Sequence, residues 1–205
     1  MALSLSSTLA ELSLFFSATG DDWMLDRLLA NDYEAFVDVV YKAMDRAIIV
    51  LESGSKHRSG DSEDRTTSEL CGLMEMAGFF SKHDIQTGGH VDITVQLKQF
   101  VWLGEAKIFT SKTVMRDGYL QLTTRYANGS PAQAAGGMLA YIKTADAAGK
   151  MQTWRNEAET TLGLRTNDCP TRLGLAFFTT SNAVSSGLPY KVRHMAVMLH
   201  HSPAK

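Results

Sequence analysis

Hydrophobic positions in the first 52 residues recur with a helical period, which predicts an N-terminal helical segment over residues 1–52. After Asn31-Asp32 the i, i+3, i+4 spacing indicates one long helix with acidic residues in its first turn. A helix that is apolar on nearly every side is buried on more than one side, so we expect packing against its own domain and a second subunit, identical or not. Packing entirely within one chain is the alternative. The apolar positions are Phe36, Val37, Val39, Val40, Met44, Ile48, Ile49, Val50 and Leu51.

The pattern changes twice after this segment. Residues 53–67 contain no apolar side chain, and we predict a flexible loop there. Residues 68–205 alternate between strand and helix periods, which predicts an α/β domain with a mixed central sheet flanked by helices. The predicted elements are a helix from Ser68-Glu69, strands near 90–97 and 100–109, a helix over 114–126, a strand over 138–143, a helix over 147–161, and strands over 173–179 and 192–199.

The strands at 90–97 and 100–109 predict a hairpin that turns at Lys98-Gln99. In that register the numbers of paired residues add up to 197, so Asp92 faces Glu105 with Cβ atoms about 5 Å apart. The apolar face would carry Val91, Ile93, Val95, Leu97, Phe100, Trp102, Ala106 and Ile108. The polar face would carry His90, Asp92, Thr94, Gln96, Glu105 and Lys107.

Two opposed carboxylates repel each other unless a cation lies between them. The polar face of the hairpin therefore has two interpretations. In the structural one, Lys107 is the sole counterion of a surface cluster. In the functional one, Asp92 and Glu105 bind a metal ion.

Charge and cysteine content narrow the class of protein. Residues 1–100 carry 8 basic and 16 acidic side chains, whereas residues 101–205 carry 12 and 6, which predicts a polyanion-facing surface in the second half. The alternative is that the two halves are solvated faces that pair with each other.

Cys71 and Cys169 are far apart, which disfavours both a disulfide framework and a zinc site. With no long apolar run and no basic leader, we expect a cytoplasmic protein without membrane contact.

Asp92, followed thirteen residues later by Glu105-Ala106-Lys107, resembles the core motif of the PD-(D/E)xK nuclease superfamily, which includes the restriction endonucleases. The family's other parts occur in order over residues 68–144: Ser68-Glu69, Gly88-Gly89 and Gln121 with Tyr126. Val91 stands where some members have proline.

This resemblance implies a restriction-endonuclease-like core. It also implies a metal-dependent endonuclease that hydrolyses phosphodiester bonds in DNA, in restriction or anti-phage defence. An RNA-directed nuclease, and a nucleic-acid-binding or assembly subunit with little activity of its own, remain alternatives.

The chemistry accounts for the residue types in the motif. Mg²⁺, with Mn²⁺ as a substitute, prefers carboxylate oxygens and water, so Asp92 and Glu105 are the predicted ligands. The family resemblance adds the carbonyl of Ala106. Lys107 would orient and stabilise the attacking hydroxide. Glu69 would complete the site from its helix, unless it only favours the helix dipole.

The helix over 114–126 supplies the remaining candidates. Asp117, Gln121 and Arg125 share one face, and Gln121 resembles the family glutamine near the metal and the substrate backbone. An Asp117–Arg125 surface pair around a neutral residue is the alternative. We predict that Arg125, together with Lys112 and Arg116, contacts nucleic acid.

Overall fold

A computed structural model describes residues 8–19, 22–86 and 90–201. Seven strands form one sheet in the order β1-β2-β3-β4-β7-β6-β5, in which β3–β4 and β4–β7 are parallel and the other neighbours are antiparallel. The predicted α/β class with a mixed sheet, flanking helices and an N-terminal helical segment is confirmed. The helices are α1 Leu9–Thr19, α2 Asp22–Leu29, α3 Tyr33–Ser53, α4 Glu63–Met76, α5 Lys112–Gln121 and α6 Ala147–Thr160. The strands are β1 Phe80–Gln86, β2 His90–Leu97, β3 Phe100–Ile108, β4 Ala135–Ile142, β5 Arg165–Asp168, β6 Ala176–Asn182 and β7 Pro189–Met198.

Apolar layers cover both faces of the sheet. Helices α3 and α4 bury one face, and α5 and α6 bury the other. All eight residues of the central strand β4 are buried, as expected for a parallel strand covered on both faces.

The predicted hairpin register is confirmed from Ile93–Gly104 to Leu97–Phe100. Ile93, Val95 and Trp102 belong to the core beneath α3 and α4, as their alternation requires. Val91 is the exception, since it packs in the second core, although we predicted it on the first face. Its backbone lies beyond the last β2–β3 pair, so the partner strand no longer fixes its side. The predicted Gly88-Gly89 turn and the His90 side chain lie outside the described residues.

Several boundaries differ from the predicted ones. Helix α4 begins at Glu63 instead of Ser68, because the Ser62 side chain caps it by accepting a hydrogen bond from the Arg65 amide. Residues 53–67 are therefore not one loop, and Thr66 and Thr67 are buried. The sequence pattern does not predict β1 or β5, because both are largely polar and β5 has only four residues. The helix predicted over 114–126 is α5 followed by a π-turn, Leu122–Tyr126.

Helix α3 is only partly covered by its own chain. Val39 is buried within the chain, whereas Ile49 and Val50 remain exposed. Across the part of the chain described, every helix is too short or too polar to cross a membrane.

Candidate functional site

The polar cluster forms where β2 and β3 stop pairing. The last backbone pair is Ile93–Gly104, so Asp92 does not oppose Glu105 in the ladder as predicted. The Asp92 carboxylate instead accepts a hydrogen bond from the Ala106 amide, with Oδ2 to N at 3.0 Å. Two residues along the same strand edge, the Ile108 amide donates to Glu63 Oε2 at 2.7 Å. Carboxylates from β2 and α4 thus satisfy backbone donors that a neighbouring strand would otherwise bind.

Lys107 lies at the centre of this cluster. Its Nζ is 2.8 Å from Glu105 Oε1, 3.4 Å from Asp92 Oδ2 and 3.4 Å from Glu63 Oε1. Burial alone would lower the pKa of Lys107, but the surrounding carboxylates, Glu105 foremost, outweigh it and raise the pKa. The side chain therefore stays an ammonium at neutral pH. The predicted grouping of Asp92, Glu105 and Lys107 in one cluster agrees with this geometry.

Glu105 is the least satisfied group of the cluster. Its side chain is fully buried, and neither carboxylate oxygen accepts a well-formed hydrogen bond, so the Lys107 ion pair is its main compensation. Burial raises the pKa of Glu105 to about 7, and the nearby Asp92 charge adds to the rise while Lys107 opposes it. A buried carboxylate without hydrogen bonds is costly to ionise, which is a reason to expect a ligand there.

Helix α5 covers the cluster through a glycine. A Cβ atom at Gly118 would lie 3.0 Å from Lys107 Cγ and 3.1 Å from Met138 Cε. The helix backbone can therefore pack directly on the aliphatic stem of Lys107, which fixes the direction of the ammonium. No local sequence signal marks Gly118, because its role depends on a contact between distant segments.

The acidic residue that α4 contributes is Glu63, and we had predicted Glu69. Glu69 pairs with Arg58, with Oε1 to Nη2 at 2.5 Å, and this pairing lowers the pKa of Glu69. The two glutamates are six residues apart, or about 600° of helical rotation, so they lie on different faces. The signal for Glu63 was present in the sequence, since Ser62 followed by two acidic residues is a typical helix start.

The other predicted residues do not converge on the cluster. Lys112 and Arg116 both pair with Glu157 on α6, at 2.8 Å and 3.1 Å, and their charges hold the pKa of Glu157 low. The two cations therefore share one carboxylate, which offsets one of their two positive charges. The Gln121 side chain donates to the Tyr126 hydroxyl at 3.2 Å. Arg125 is exposed in the π-turn.

The donor chemistry of the cluster fits a hard divalent cation. The available atoms are carboxylate oxygens and the Ala106 carbonyl, and Glu105 offers two buried oxygens without hydrogen bonds. In the conformation described, however, Lys107 lies between the carboxylates. Within residues 8–19, 22–86 and 90–201, no three His, Cys, Asp or Glu side chains are grouped to hold one metal ion. A cation would therefore have to displace the Lys107 ammonium from part of its present position.

Comparison with known proteins adds no relative. The chain matches no protein-family model, no curated protein and no solved structure.

Proposed function

We propose that the protein is a metal-dependent endonuclease that hydrolyses phosphodiester bonds in DNA. The observation that carries this proposal is the fully buried Glu105 carboxylate, which lies beside Asp92, makes no well-formed hydrogen bond and is compensated by the Lys107 ammonium at 2.8 Å. Such a cluster is a poor structural solution, because neutral side chains would stabilise the sheet edge at lower cost. The resemblance of the motif to PD-(D/E)xK nucleases supports the same function.

Each residue then has a definite task. Asp92 and Glu105, with the Ala106 carbonyl, would hold Mg²⁺ or Mn²⁺. The bound cation would polarise the phosphate and lower the pKa of water. Lys107 is an ammonium, so it donates hydrogen bonds to the attacking oxygen or the phosphate and does not act as the general base. Glu63 takes the role first assigned to Glu69, because it holds both Lys107 and the end of β3.

Among the three predicted basic residues, we propose Arg125 as the phosphate contact. Lys112 and Arg116 are engaged with Glu157, which leaves Arg125 as the better supported contact of the three predicted cations. Arg125 is exposed and has no ion-pair partner among the residues the structure describes.

The test is incubation of the full chain with supercoiled plasmid, linear duplex, single-stranded DNA and RNA, each with Mg²⁺, Mn²⁺ or chelator. We expect cleavage of DNA that requires the metal. Cleavage of RNA alone would show that the substrate is RNA and not DNA. Metal-independent binding without any cleavage would favour the assembly-subunit alternative.

We also propose a second copy of this chain as the partner. Ile49, Val50 and Met76 are exposed apolar side chains on α3 and α4, and Val50 and Met76 line a cavity of about 190 Å³. Cleavage of both strands of a duplex requires either two active sites or one active site that reorients between the strands. A dimer would provide two active sites. A role in restriction or phage defence rests on the motif resemblance alone, whereas the proposed cytoplasmic location rests on the cysteine content of the sequence.

A further inference from the structure

A cavity of about 480 Å³ lies on the same sheet face as the Glu105–Lys107 cluster. Thr94 and Leu103 face each other in the β2–β3 ladder and form part of its lining. Thr94 is two residues from Asp92, and Leu103 is two residues from Glu105, so the cavity begins about 7 Å along the strands from the cluster. The volume is in the range of about 300–1,000 Å³ that small-molecule sites occupy.

Two side chains in this cavity have buried polar atoms without partners. Thr94 and Gln133 are 7% and 8% exposed, and Thr94 Oγ1 and Gln133 Oε1 make no hydrogen bond. Buried polar groups are normally paired, so two such atoms in one cavity point to a ligand that would hydrogen-bond with them. Thr94 comes from β2 and Gln133 from the loop before β4, and both side chains line the cavity.

The rest of the lining defines the chemistry of that ligand. Every lining residue is uncharged, which disfavours a phosphate or carboxylate as the occupant. Leu103 and Val101 provide an apolar floor, and the half-exposed Phe80 ring lies at the margin. Gln96 and Asn128 add amide groups, although Gln96 Nε2 already donates to the Lys98 carbonyl and Asn128 Oδ1 accepts from the Ser130 amide. An apolar floor, an aromatic edge and amide side chains together suit a flat, neutral, polar ring.

Resting on the proposed nuclease function, we infer that this cavity receives one unpaired nucleobase of the strand whose phosphate lies at the Glu105–Lys107 cluster. Amide side chains read base edges by hydrogen bonds, and aromatic rings stack on bases. Gln133 Oε1 is an acceptor, so it favours a base with an exocyclic amine, as in adenine, cytosine or guanine, over thymine. A base reaches such a cavity only from single-stranded or locally opened nucleic acid.

Binding, measured apart from cleavage, tests the inference. Fluorescence anisotropy with the full chain in chelator would compare labelled single strands of dA, dC and dT with an abasic strand of equal length. We expect dA or dC to bind about fivefold more tightly than dT and the abasic strand. Gln133→Leu and Thr94→Val should each remove most of this preference. Gln152→Leu, on the exposed face of α6, is the matched control and should retain it.

The outcomes separate the two proposals. Equal binding of all strands, or a preference that survives in folded Thr94→Val, overturns the nucleobase cavity. Should Gln133→Leu fail to fold, the conservative Thr94→Val change still decides. Duplex cleavage without single-strand preference overturns the cavity and leaves the nuclease proposal standing. Failure both to bind and to cleave any nucleic acid overturns both.

Discussion

Replacement of Glu105 by glutamine should stabilise the metal-free protein at pH 8. The carboxyl pKa is about 7 in the folded chain against a usual value of 4.5, because burial and the Asp92 charge oppose ionisation. The folded state therefore holds this proton more tightly than the unfolded state does. The contribution of protonated Glu105 to the free energy of unfolding is fully present below about pH 4.5. This contribution is lost as the pH rises through about 7. Glutamine has a similar shape and carries no charge to desolvate.

The size of the effect follows from the two pKa values. A difference of about 2.5 pH units corresponds to about 3 kcal/mol, at about 1.4 kcal/mol per unit. For a chain of this size, 1 kcal/mol shifts the melting temperature by about 2–4 °C. We therefore expect Glu105→Gln to melt about 6–12 °C higher than the parent at pH 8 in chelator. At pH 5 the difference should fall below about 1 kcal/mol, because the parent is then mostly protonated at Glu105.

Urea unfolding at pH 5 and pH 8 measures this difference directly. Glu75→Gln is the matched control, since Glu75 forms a half-exposed pair with Lys82 that contributes about 0–1 kcal/mol. Added Mg²⁺ should stabilise the parent more than Glu105→Gln. The reasoning is wrong if Glu105→Gln is less stable than the parent at pH 8, or if its stability depends on pH as the parent's does.

Three further changes follow from the geometry. Gly118→Ala should lower the cleavage rate at least about tenfold, because the added Cβ displaces Lys107. The control Gly72→Ala, which has open space around its Cβ, should leave the rate unchanged. Initial rates of plasmid cleavage measure both effects. Glu63→Gln should lower the cleavage rate, while Glu69→Gln leaves it unchanged. Equal losses of cleavage rate in the same assay would contradict the assignment of the α4 role to Glu63. Ile49→Asp should convert a dimer to a monomer in light scattering, and a monomeric parent at micromolar concentration would refute self-association.

The hairpin and its polar cluster could be predicted because they depend on local rules. Strand alternation and a two-residue turn fix the register from Ile93 to Leu97, and Asp92 and Glu105 are the next residues beyond the last pair of that register. The same rules failed at Val91, where the strands separate and pairing no longer decides the face. The polar strand Phe80–Gln86 carries little alternation, since it is an edge strand, and it was missed.

The remainder of the site depends on contacts between distant segments. The lack of apolar residues around Glu63 predicts a loop, although the Ser62 cap starts a helix there. The pairing of Lys112 and Arg116 with Glu157 joins α5 to α6, and no local pattern in either helix indicates it. The sequence near a motif therefore does not show which of its basic residues already pair with acidic side chains elsewhere in the chain.

The most direct test of the nuclease proposal is the conversion of supercoiled plasmid by the parent chain, Lys107→Met and Lys82→Met in the presence of Mg²⁺. Lys82 forms an exposed pair with Glu75, so Lys82→Met controls for loss of a lysine away from the cluster. We predict nicking or linearisation by the parent and by Lys82→Met, a loss of about 100-fold or more in Lys107→Met, and none in chelator. Equal cleavage by Lys107→Met and the parent, or no cleavage by the folded parent with either Mg²⁺ or Mn²⁺, would contradict the proposal.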